Sequence, residues 1–159
     1  MAQPGDVVFA HSDGVMGKAI RFGEFLRWRR GSHWNHVAIV DRIVDGVPYV
    51  IQAEAKGVTN DKPLSSVGLY ELVSPDINVD TALSFVRAQV GKRYGWLSIV
   101  SIVFDVITPD WAPAVRRRNT WICSALVAES MRAGGWLANW GDIYIVTPAQ
   151  LWAKLKTSK

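Results

Sequence analysis

"HVAIVDRIVDGVPYVIQAEA", residues 36 to 55, is the stretch on which the fold turns. His36 to Val44 is β-branched and largely apolar, so it reads as a strand. Asp45-Gly46 is a two-residue turn signal, because a tight hairpin turn needs positive φ and this pair tolerates it. "VPYVIQAEA" is then the return strand, with Pro48 near its start, where a missing ladder N–H does least harm. An antiparallel hairpin therefore sits near the middle of the chain.

Working outward, "GDVVFA" (5–10) follows Pro4-Gly5 and reads as another strand, "LYELV" (69–73) as a third neighbour and "DIYIV" (142–146) as a late addition. Helical spacing recurs over 13–29, at Val15, Ala19, Phe22, Leu26 and Arg29. Asp80 is the expected cap of a helix to about Val90 with Leu83, Val86 and Val90 on one face, ended by Gly91. Thr120 is the expected cap of an amphipathic helix that contains Cys123 and stops at Gly134-Gly135. Thr147-Pro148 opens a last helix, with proline at its first position. No repeat, low-complexity tract or long linker divides the chain, so residues 1–159 are expected to form a single domain of the α+β class.

Composition narrows the function classes. A chain of 159 residues can bury a core without staples, and its single cysteine excludes an internal disulfide and a multi-cysteine zinc site. Three histidines without suitable carboxylate spacing make no metal constellation, and neither metal nor cofactor is expected. The net charge of +4 gathers at Lys18 to Arg30, Arg116 to Arg118 and Lys154 to Lys159. Such clusters are either a solvated surface or a patch for an anionic polymer or lipid. No nucleic-acid reading motif accompanies them, so nucleic acid is not the expected partner. The eight tryptophans serve either a groove or the core. "WLSIVSIVFDVI" (96–107) is too short to span a bilayer and contains Asp105. "MAQPGDVVFA" lacks the basic start and apolar core of a signal peptide. The expectation is synthesis in the cytoplasm, with access to a cell wall through lysis, a secretion system or a phage particle.

Cys123 carries the chemical interest. Near the start of a helix, free N–H groups and the helix dipole favour a thiolate. A nucleophilic thiolate needs a proton partner. Of the histidines, His11 has no distinctive context and His33 lies in a Gly-Ser loop, whereas His36 opens the rigid strand described above. The base in turn needs an orienting group. Gln52 and Glu54 lie two apart on the return strand and share one face of it, so one of them is expected to reach the imidazole if the strands pair.

The segments "GDVVF", "GSHWNHVAIV", "VIQAEAKGV", "GKRYGW", "CSALVAES" and "TPAQLW", in that order, resemble the circularly permuted papain-like cysteine hydrolases of the NlpC superfamily. In that branch the histidine strand precedes the cysteine helix. The resemblance covers nearly the whole chain. It implies an antiparallel sheet or half-barrel packed against helices, with Cys123 as nucleophile, His36 as base and a third polar group on the next strand. Spacing from Gly57-Val58 places Gln52 on the family position, which is usually acidic; the expectation leans to Glu54 for its charge, with Gln52 the alternative. "GKRYGW" resembles the family's Gly-x-x-Tyr segment and implies that Tyr94 binds the oxyanion, with residues 95–120 as an insertion before the nucleophile. The implied substrates are peptidoglycan stem peptides or acyl-lipid amides and esters. A catalytically silent binding module of a phage or wall assembly, with membrane or particle contacts, is the competing class.

Overall fold

The computed structural model describes residues 1–11, 33–94, 120–136 and 146–157. Five strands form one antiparallel sheet: β1 (Val7–His11), β2 (His36–Val44), β3 (Val47–Glu54), β4 (Gly57–Pro63) and β5 (Leu69–Val73), in the order β4-β3-β2-β1-β5. A 3-10 turn, Leu64–Ser66, follows β4. Three helices are described: α1 (Val79–Arg87), α2 (Cys123–Ala133) and α3 (Pro148–Thr157). Two short strands, β6 (Arg93–Tyr94) and β7 (Thr120–Trp121), pair in parallel beside them.

The hairpin forms as the sequence predicts. Asp45 and Gly46 take φ of 50° and 79°, which closes the turn, and Val44 pairs with Val47. Pro48 pairs with Ile43 as the second residue of β3. Both faces of the sheet are covered, which is why β2 is a nearly unbroken apolar run instead of an alternating one. Val7, Phe9, Val37, Ile39, Ile51 and Ala53 face the main core with the helices. Val8, Ala38, Val40 and Val50 meet Leu64 in a smaller cluster. An irregularity in the β2–β3 ladder between Val40 and Arg42 coincides with Asp41, which is buried and accepts from Arg87 Nε and Arg42 Nη1, each at 2.6 Å. The first of these bonds ties β2 to the end of α1.

Several expectations are corrected. β4 was not expected: its polar sequence, "GVTNDKP", hides a strand that is held by pairing with β3. Asn78, not Asp80, caps α1, accepting from Thr81 N at 3.0 Å. Asp80 instead lies in the first turn, where its charge complements the helix dipole. This helix ends at Arg87, and Val90 is exposed in the turn beyond it. Thr120 does not cap α2; it belongs to β7, and Ile122 holds the cap position without a side-chain bond. Nor is α2 amphipathic over most of its length, since every residue from Cys123 to Met131 is buried. It packs against β2, β3, α1 and α3 at once. The helix expected over 13–29, the strand residues 142–145, Arg116 to Arg118 and the 95–119 segment lie outside the described residues. Val146 is described and lies in the approach to α3, not in a strand.

Candidate active site

The first helical position of α2 is Cys123 itself, two residues after β7. The N–H groups of the first turn have no carbonyl four residues back to bond to, so that end of the helix favours negative charge. Cys123 is 2% exposed, yet its surroundings are not hydrocarbon alone. The His36 side chain and the backbone N–H groups of Val37 and Ser124 all act on the sulfur in the direction that favours its charged form. Ser124 Oγ donates to the carbonyl of Val146, which pins the first turn of α2 against the approach to α3.

His36 opens β2 opposite Ala10 of β1 and is half-buried. Its Nε2 lies 2.7 Å from Gln52 Oε1, so Nε2–H donates to the amide oxygen and Nδ1 is left for the thiol. Gln52 is 2% exposed, and its strand position, opposite Ala38 and Thr59, fixes it on both sides. Of the two expected partners it is Gln52, not the favoured Glu54, whose side chain meets the His36 ring. Glu54 turns to Lys62 on β4, with both carboxylate oxygens within 2.9 Å of Nζ. A partly exposed carboxylate gains more from an adjacent ammonium than from a neighbouring imidazole at a distance, and β4, the unexpected strand, supplies that ammonium.

The electrostatics follow from this packing. Burial pushes the Cys123 thiol up, but the His36 hydrogen bond and charge, with the Val37 and Ser124 N–H groups, outweigh it and bring the thiol below its ordinary value. Burial likewise disfavours a charged His36; the bond to Cys123 and its charge, then Gln52 and the charge of Glu54, outweigh it and raise the imidazole above its ordinary value. Opposite shifts of this kind move the couple toward a thiolate–imidazolium pair.

Tyr94 ends β6 opposite Trp121, which lies two residues before Cys123, and is buried. Burial, then the nearby charges of Cys123 and Glu54, push its hydroxyl well above the ordinary phenol value, so it stays protonated and able to donate. A glycine makes that placement possible. Gly57 has φ of 119°, and a Cβ there would lie 2.6 Å from the Lys92 carbonyl. Without a side chain at 57, Val58 can exchange hydrogen bonds with Gly91 and Lys92, each 2.9 Å, and the chain runs on into Tyr94.

His11 and His33 are elsewhere: His11 Nδ1 lies 2.9 Å from the carbonyl oxygen of His33, and their rings sit 5.7 Å apart. The N–H groups of Val37 and Ser124 were not anticipated, since backbone donors leave no mark in a sequence beyond their adjacency to His36 and Cys123. Among the described residues no group of three or more His, Cys, Asp or Glu side chains could hold a metal ion, and no helix is long and apolar enough to cross a membrane. No protein-family model matches the chain, and no curated protein matches it either.

Proposed function

We propose that the protein is a thiol amidohydrolase that cleaves amide bonds of peptidoglycan stem peptides, with a permuted papain-like fold of the NlpC type. The observation that supports this is the meeting of three side chains at the junction of α2 and the sheet: His36 is held by Gln52 at 2.7 Å, and His36 and Cys123 each favour the other's charged form. In the proposed reaction the Cys123 thiolate attacks the scissile carbonyl carbon, forming a C–S bond and sending an electron pair to the carbonyl oxygen. The Cys123 backbone N–H and the Tyr94 hydroxyl would hold that oxyanion. His36 gives its Nδ1 proton to the departing amine as the C–N bond breaks, leaving a thioester. Water, deprotonated by His36, then attacks the thioester, releasing the acid and restoring the thiol. Gln52 acts throughout as an orienting group: as a neutral amide it holds the ring without taking a proton.

A net charge of +4 suits anionic murein and an anionic lipid surface alike, so the choice of peptide as the proposed substrate rests on the experiment that separates the two. Digestion of labelled muropeptides, followed by mass spectrometry beside Cys123→Ala, tests it. Cleavage by the native chain alone is expected. Free fatty acid released from acyl lipids, with muropeptides intact, would move the substrate to lipid. A thiol titrating near the ordinary value of about 8.5, with no turnover of either, would leave only a binding module.

A further inference from the structure

Gln89 is a buried polar residue, 6% exposed, that none of the chemistry above uses. It lies in the turn that follows α1, and its carboxamide is heavily committed. Nε2 donates to the Phe85 carbonyl at 3.0 Å. Oε1 accepts twice, from Lys92 Nζ at 2.6 Å and from Trp121 Nε1 at 3.2 Å. Two donors on one amide oxygen use both of its lone pairs. The Phe85 ring adds an edge-on contact to Trp121, centroids 6.0 Å apart.

The two donors belong to the two chain segments of the β6–β7 pair. Lys92 immediately precedes β6, two residues before Tyr94. Trp121 ends β7, two residues before Cys123. These strands pair with Tyr94 opposite Trp121, and a two-residue ladder has too few bonds to hold its own register. One oxygen atom at the end of α1 therefore holds both members of the pair, through Lys92 just ahead of β6 and through Trp121, which lies opposite Tyr94. We infer that Gln89 is a positioning residue whose carboxamide sets where Tyr94 stands relative to Cys123. Its effect on rate rests on the hydrolase reading above; its geometric content does not.

The test uses the full chain and three variants. Gln89→Met removes both acceptor bonds at similar volume, Gln89→Glu keeps the acceptor, and Trp121→Phe removes one donor without touching position 89. Three quantities are measured: hydrolysis of p-nitrophenyl acetate, the pH profile of Cys123 alkylation by iodoacetamide, and the nuclear Overhauser contacts of the Tyr94 ring in tyrosine-labelled protein. Gln89→Met and Trp121→Phe are expected to lower kcat about tenfold, in line with the cost of a small misplacement. The alkylation midpoint should hold, because His36 reaches the sulfur from β2. The Tyr94 contacts to the first turn of α2 should weaken, and Gln89→Glu should restore them. On a Tyr94→Phe background Gln89→Met should cost nothing further in kcat. Losses that multiply with Tyr94→Phe, or unchanged Tyr94 contacts in both disrupting variants, overturn the inference. If native chain and Cys123→Ala hydrolyse the ester equally, the hydrolase reading falls, while the Tyr94 contacts still decide the role of Gln89. Should Gln89→Met not fold, the Tyr94 contacts and kcat of Trp121→Phe decide between the two outcomes.

Discussion

At the scale of single residues, the thiol and the imidazole shift in opposite directions, and this gives a signed pH dependence. The lowered Cys123 value means that alkylation by iodoacetamide persists as pH falls below the ordinary thiol range and is lost only on passing the lowered value. In His36→Ala the sulfur loses its hydrogen-bonded, charged partner but stays buried, so the midpoint should rise to about 8.5 or above. Turnover should be bell-shaped, rising as the thiolate forms and falling as His36 deprotonates at its raised value. Gln52→Leu leaves a buried ring N–H without an acceptor; kcat should drop by about 10- to 100-fold, less than for Cys123→Ala. Glu54→Gln should cost less again. It breaks a partly exposed pair with Lys62 and should change stability by about 1 kcal/mol or less in a urea titration. A larger loss from Glu54→Gln than from Gln52→Leu would return the orienting role to the carboxylate.

At the scale of elements, caps and close approaches set what is sensitive. Asn78→Ala removes the side-chain acceptor of α1 and should lower stability by about 1 kcal/mol, measured as a shift in urea midpoint with unchanged slope. Gly57→Ala combines a left-handed backbone with a clash on the Lys92 carbonyl. It should cost about 1–3 kcal/mol and lower turnover as well, since the 91–94 segment must retreat and carry Tyr94 with it. The helix boundaries show what local signals convey. Pro148 at the start of α3 and Gly135, with φ of 94°, just past the end of α2 were legible because each residue has one favourable place. The cap of α1 was misplaced by two residues, since Asn78 and Asp80 are both good caps and only backbone geometry separates them. β4 was illegible for a different reason: its side chains are polar, and its strand conformation comes from the hydrogen-bonding edge of β3.

At the scale of the whole molecule, α2 is the pivot, being in contact with the sheet and with both other described helices. Leu126 is fully buried in that position, and Leu126→Ala should cost about 2–5 kcal/mol, seen as a lower urea midpoint. A core of this kind holds the sulfur in place by packing a whole helix, so the same variant should also loosen Cys123 and broaden its alkylation profile. The chain by itself settled the hairpin and the α+β class, and it singled out Cys123 and His36 as the candidate thiol and imidazole. Those rest on local causes: turn dihedrals, a unique cysteine, and the β-branched run behind His36. Only the tertiary structure decided between Gln52 and Glu54, because the two share a strand face and the choice depends on Lys62 arriving from β4. It alone also brought the Val37 and Ser124 N–H groups to the sulfur and joined Tyr94 to the nucleophile's approach. Residues far apart along a chain meet through packing and pairing, and one-dimensional spacing does not record which neighbour reaches a shared partner first.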